Sequence, residues 1–243
     1  MARFRLALAA IAVLACACSS TQKPYNPFKV PRESFYPGLK TVALAPVRLP
    51  SDLEDPEPVR ALFASVIATK LKDAGLAVVP ASDAGPIIDA KTKEVGGIFD
   101  PTTGKVDEAK AKALNAAIGR ELKARLNADA LLTPSVRVVS AALVHDQARW
   151  DGVTEQAGKG GFWKALVRTH SGSIRALSLV VFLVDSEGQI LYAKGGGIQV
   201  LGNVTVGGGL ERRPRTELFA DGERNENAVH LALDPLLVGT DTM

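Results

Sequence analysis

Cysteine is what this 243-residue chain lacks most: it has two, Cys16 and Cys18, and none afterwards. A domain built from the later residues is held by its core, since it can form no internal disulfide even in an oxidising compartment. The same scarcity removes thiol nucleophiles and cysteine-based zinc sites. Histidine is as thin: His145, His170 and His230 lie far apart, with no H-E-x-x-H or paired-ligand spacing, a pattern that points to no metal. No G-x-S-x-G elbow occurs, so the serine-hydrolase pattern is absent. GGIFDPTTGKV imitates a phosphate loop, but Gly97 and Gly104 enclose six residues and Val106 follows Lys105. A phosphate loop needs four residues there and Ser or Thr after the lysine, so the stretch reads as a turn around Asp100-Pro101. Asp185-Ser186-Glu187-Gly188 lacks the alternating acids of a calcium loop and fits a hairpin turn. These absences together predict no cofactor.

What is present begins with VLACACSST, residues 13–21. Behind it lie ten residues of Leu, Ala, Ile and Val (Leu6 to Ala15), and before those MARFR with two arginines. A basic start, a short apolar run and small residues make a secretory signal peptide. The run falls short of the roughly 20 apolar residues that cross a bilayer. A cysteine stands where cleavage should fall, which resembles the lipobox of bacterial lipoprotein signals. Val13-Leu14-Ala15-Cys16 fits it, and Ala15-Cys16-Ala17-Cys18 fits with a less typical residue at its start. Cys16 is the first choice for lipid attachment and Cys18 the alternative. A redox pair needs two residues between its cysteines, and no other ligands complete a metal site. Neither cysteine is followed by Asp, the residue that in enterobacteria retains lipoproteins in the inner membrane. The resemblance therefore implies a lipid anchor in the outer membrane of a Gram-negative bacterium, with the polypeptide in the periplasm.

The formal charge of +3 includes Arg3 and Arg5. Without them, 27 basic residues face 26 acidic ones, about +1, which offers no concentrated basic face for a nucleic-acid partner. Residues 16–39 carry the anchor and a segment, SSTQKPYNPFKVPRESFYPG, with Pro24, Pro27, Pro31 and Pro37. This segment reads as a semi-stiff tether reaching about 60 Å when extended. Residues 40–238 then form a single domain, and residues 239–243 a frayed tail. TVALAPV reads as a buried strand. Val59, Leu62, Phe63, Val66, Ile67 and Leu71 mark one helical face; Gly75 ends that helix before a second strand, Leu76 to Val79. Pro86 to Lys110 reads as a turn-rich excursion, followed by a helix from about Asp107 to Leu126. NADALLTPSVRVVSAALV is a strand in which Pro134 marks a bulge or an edge, and RWDGVTEQ continues it as an extended arm. After a Gly- and Lys-rich loop, IRALSLVVFLVD and ILYAKGGGIQV form a hairpin through SEGQ. Both GGG runs read as flexible strand ends or bulges. A helix from roughly Asn225 to Leu237 closes the chain. The class is α/β (α+β): a single three-layer-like domain, β-α-β-α, then a mostly antiparallel meander and a C-terminal helix.

KTVALAPV, the helix into GLAVVP, the helix ending in NADALLTPSV, and SLVVFLVDSEGQILY together resemble the domain of CsgG-like and LpoB-type periplasmic lipoproteins, related to the amino-terminal domain of TolB. The likeness is of order and pattern over most of Lys40 to Gly197. It implies a non-enzymatic accessory or binding subunit of an envelope assembly, in cell-wall synthesis or export, and leaves a homo-oligomer open. A CsgG-like secretion component is the first alternative. Yet neither face of RWDGVTEQ is apolar, as a membrane-crossing strand requires. A periplasmic hydrolase would need clustered acids near Asp151 or Glu155, and a small-ligand carrier an apolar pocket. For the partner surface, Trp150, Phe162 and Trp163 stand out in a chain with 5% aromatics. Lys164 and Arg168 accompany them, and Trp and Arg are common interface anchors; either tryptophan folded back over the sheet is the equal alternative. Labelled palmitate is expected on the wild-type protein and to be lost only in a Cys16→Ser Cys18→Ser double variant. A wild-type chain without label rejects the anchor.

Overall fold

A computed structural model describes residues 25–51, 56–100, 103–157, 171–205 and 209–237; Cys16 and Cys18 lie outside them. The expected tether is shorter than its prolines suggested. From Tyr25 the segment lies on the domain, with a short helix α1 (Arg32–Phe35) and a 3-10 turn at Tyr36–Gly38. Phe28, Val30, Phe35 and Tyr36 pack on the main core. The Phe28 ring meets Tyr192 edge-on at 5.2 Å, and the Tyr25 hydroxyl donates to the Ala193 carbonyl. Aromatic residues set between prolines supply the apolar area, and the prolines leave less backbone entropy to lose.

β1 (Thr41–Leu44) runs parallel to β2 (Ala77–Val79) on one side and to the start of β3 (Ala130–Val144) on the other. The crossover from β1 to β2 is α2 (Pro56–Asp73), whose Phe63, Ile67 and Leu71 are fully buried. Each contributes about 1.5–3 kcal/mol relative to exposure. Asp129, just before β3, accepts backbone N–H bonds from Lys40 and Thr41 and a bond from the Lys123 ammonium. Burial works to raise its pKa, but the Lys123 and backbone bonds outweigh it and hold the carboxyl below its ordinary value.

The excursion expected after Pro86 is instead a helix, α3 (Ala81–Val95), with Gly85 and Pro86 inside it. Proline in a helix interior removes a hydrogen bond and crowds the preceding turn. Here Ala84, Ile87 and Ile88 bury against α4 (Glu108–Leu126) and the strands, and that burial outweighs the local cost. Asp107 caps α4, accepting from the Lys110 N–H.

β3 pairs along its length with β6 (Gly172–Asp185) in unbroken antiparallel register, from Ala130 opposite Asp185 to Leu143 opposite Gly172. Pro134 makes no bulge in that ladder. Its carbonyl accepts from Arg48 on the β1 side, so the missing N–H faces the side where β1 has already ended. β4 (Gln147–Trp150) and β5 (Val153–Gln156) follow β3 as successive hairpins. RWDGVTEQ is therefore no continuous arm: Asp151 and Gly152 have φ of 37° and 83° and turn the chain back, as Asp-Gly favours. β7 (Ile190–Val200) pairs outside β6, and β8 (Gly202–Val204) with β9 (Leu210–Arg212) forms a small hairpin. The closing helix is α5 (Gly222–Leu237).

The layers are α2 and α5 on one face, the sheet, then α3 and α4 on the other. The β4–β5 hairpin curls back over the end of the second face, where Ala148, Trp150, Ala176 and Val200 form a separate core. Gly195, Gly196 and Gly197 lie inside β7 rather than at a loose strand end, and a register shift opposite Leu177 and Ser178 makes a bulge just after them. A Cβ on Gly196 would lie 2.0 Å from the Ala228 carbonyl oxygen of α5. One on Gly197 would lie 2.8 Å from the Trp150 indole nitrogen. Gly196→Ala is expected to destabilise the domain by about 2–4 kcal/mol, read by urea denaturation. Gly222→Ala, which meets nothing within 4 Å, is the control. Equal midpoints overturn this packing account.

Candidate functional site

At the far end of the sheet, past the reach of α2 and α5, the described residues that cover the first face are Pro50, the β8–β9 hairpin and the chain that follows it. Val138 and Leu177 sit opposite each other on β3 and β6 and form the floor of a cavity of about 220 Å³. Leu201, Leu218 and Phe219 line it further, and Leu210, 58% exposed, lies at its mouth. Phe219 is held in place on both sides. Its ring stands edge-on to Phe63 at 6.0 Å. Its backbone, at φ 62°, is fixed by two buried side chains: Gln199 accepts from its N–H and Asn225 donates to its carbonyl.

Four arginines line the same cavity: Arg175 of β6, Arg212 at the end of β9, Arg213 and Arg215. They differ in what they already hold. Arg213 donates to Glu155 at 2.9 Å, and Arg224 of α5 donates to the same oxygen at 2.6 Å. The other Glu155 oxygen accepts the Val200 N–H at 2.8 Å. This carboxylate is 9% exposed and joins β5, β7, α5 and the wall of the cavity. The bond to Glu155 raises the Arg224 pKa above its ordinary value; burial opposes this, and the Glu155 and Asp221 charges add to it. Arg215 has a partner of its own. Arg175 and Arg212, both exposed, have no acidic partner among the described residues. The cavity thus presents an apolar interior beneath unneutralised guanidinium groups, a combination suited to a ligand with an apolar part and a compact negative charge.

Of the partner-surface residues expected from sequence, Trp150 is described, and it is 7% exposed with its indole N–H donating to the Leu177 carbonyl. The tryptophan has folded back over the sheet. Phe162, Trp163, Lys164 and Arg168 lie outside the described residues, as does His170. The segment that carries them leaves after Ala157, whose carbonyl accepts the Val204 N–H. Asp151 and Glu155 do not form an acid pair. Asp151 accepts from the Ser178 hydroxyl, while Glu155 holds its two arginines. His230 contacts Lys70 and Asp234 at the surface, and no group of three metal-ligating side chains occurs among the described residues. Sequence reading passed over Arg212-Arg213-Pro214-Arg215, a basic run whose signal was visible.

Fold and site together define a three-layer α/β domain with an arginine-rimmed apolar cavity at one end of its sheet. No family model and no curated protein matches the chain. Among solved structures it is similar to the lipoprotein GNA1162 from Neisseria meningitidis, at 18% identity and TM-score 0.32, covering 66% of this chain and 82% of that one. It is also similar to the PelC dodecamer from Paraburkholderia phytofirmans, at 12% identity and TM-score 0.37, covering 88% of this chain and 94% of that one. Likenesses this distant assign no family.

Glu155→Gln retains the shape but removes the carboxylate that Arg213 and Arg224 share, leaving Arg224 with Asp221 alone. The expected loss is about 3 kcal/mol, as for breaking one side of a buried ion pair. Arg224→Gln, at a side chain 40% exposed, is expected to cost no more than about 1 kcal/mol. Urea unfolding with unchanged m-values checks both; equal losses for the two variants contradict the assignment.

Proposed function

We propose that this chain is a lipid-anchored binding subunit of the Gram-negative envelope. It is attached through Cys16, with Cys18 as the alternative, on the periplasmic side of the outer membrane, and it assists an assembly of cell-wall synthesis or export without catalysing a reaction itself. The observation that carries the binding role is the arginine-rimmed cavity of about 220 Å³. Arg175 and Arg212 supply charge; Phe162, Trp163, Lys164 and Arg168 supply the residue types that anchor interfaces. The rigid sheet fixes the cavity, and loops carried on a rigid scaffold are where variable contacts are commonly placed. Trp150 serves from inside, holding the β4–β5 hairpin on the sheet.

The anchor and the site work together. A tether confines the domain to a shell near the membrane, which raises its effective concentration toward envelope partners. With residues from Tyr25 docked on the domain, few residues remain for the span between Cys16 and the folded part. The partner surface therefore operates close to the membrane.

Photo-crosslinking in living cells, with benzoylphenylalanine at position 163 or 212, followed by mass spectrometry, tests the reading. The expected result is one common partner from both positions, lost when residues 158–170 are replaced by a Gly-Ser linker. Recovery unchanged by the replacement rejects the segment as the contact, and different partners from the two positions reject a single surface.

A further inference from the structure

We infer that the cavity takes a medium-chain fatty carboxylate, its head between Arg175 and Arg212 and its alkyl chain over Val138 and Leu177. The inference rests on reading this cavity as the recognition site and names what enters it. Among the described residues, twelve line it: four arginines and eight that are apolar or glycine. None of these described side chains is Ser, Thr, Asn, Gln, Asp or Glu. A peptide brings N–H groups, and leaving these without acceptors costs about 1–3 kcal/mol each. An alkyl chain brings none. The volume narrows the class further. At about 30 Å³ for each water-sized group, 220 Å³ holds about seven, enough for one short chain and too few for the two chains of a diacyl lipid.

The head group follows from the charges. Arg213 is bound to Glu155, and its Nε is buried with no hydrogen-bond partner among the described residues, so this side chain is fixed in the wall rather than available at the mouth. Arg175 and Arg212 keep their guanidinium forks, which match a carboxylate in two-point geometry. Leu210 at the mouth is exposed apolar surface that the chain would cover.

The test is equilibrium dialysis of labelled octanoate against the full-length lipoprotein in phosphatidylcholine nanodiscs, with empty nanodiscs subtracted. Saturable one-to-one binding is expected, about tenfold weaker in Arg175→Glu and in Arg212→Glu, since a charge-assisted hydrogen bond lost is worth that factor. Val138→Phe, which fills the floor without changing charge, is expected to weaken octanoate as well. Octanamide and acetate, which lack the charge and the chain respectively, are expected not to bind. Thermal unfolding of each variant establishes that it is folded. Binding of octanamide equal to octanoate, or arginine variants with unchanged affinity, overturns the proposal. Binding of octyl phosphate, with none of octanoate, overturns the carboxylate head, and binding of a peptide ending in phenylalanine, with none of octanoate, overturns the alkyl chain. The two readings fail separately. Octanoate binding lost with partner crosslinking retained removes only the ligand class; crosslinking unaffected by Arg175→Glu and Arg212→Glu removes the cavity as the partner site.

Discussion

The architecture depends on one stretch of bare backbone, Gly195-Gly196-Gly197 in the middle of β7. On one face α5 comes so near that any Cβ on Gly196 would meet the Ala228 carbonyl. On the other, Trp150 and Asp151 of the β4–β5 hairpin lie against Gly197 and Gly195. Glycine in a strand is entropically unfavourable and contributes nothing to cross-strand packing. Three in succession are tolerated because each missing side chain admits a neighbouring element. The Tyr192 hydroxyl donating to the Ala232 carbonyl fastens the same helix to the same strand. Burial of that phenol raises its pKa well above the ordinary value, which keeps it protonated as a donor.

From that contact the rest follows in order. With the hairpin seated by Trp150, β5 lies beside β7, and Glu155 can accept the Val200 N–H. Once there it attracts Arg213 and Arg224, which draws the chain after β9 and the start of α5 to one point. That closure leaves Phe219 and Leu218 over the end of the sheet, with a space between them and the Val138–Leu177 pair. The cavity is the volume left where a curled sheet is covered by a short hairpin instead of a helix.

The strongly periodic elements were readable from sequence: the α2 face, the α4 face ending at Leu126, the strand pattern of β6 and β7, and α5. Their periodicity reports burial directly. Three things were not. α3 was hidden because Gly85 and Pro86 are local breakers, and only tertiary burial of Ile87 and Ile88 decides the matter. The docked segment from Tyr25 was hidden because proline content suggests a linker, whereas four spaced aromatic residues decide its packing. The Asp-Gly turn at 151–152 has a plain local signal, masked by the extended pattern of the residues on either side of it. The site was the least legible part. Its arginines come from β6, from the end of β9 and from the chain after it, its floor from a β3–β6 pair, and no local pattern joins them. Only the basic run at 212–215 was visible beforehand.

The arginines also explain why the site is more than a packing defect. An apolar void left by poor packing is lined by apolar groups alone and costs stability in proportion to its size. Here cations stand around it, and the Glu155 carboxylate neutralises those of the wall and of α5, Arg213 and Arg224. Arg175 and Arg212 stand exposed beside the apolar opening, and neither closes an ion pair among the described residues. Glu155 ties up the guanidinium groups that join β5, the chain after β9 and α5. The two exposed arginines join no elements in this way, so their charge acts at the opening and not in the packing of the sheet.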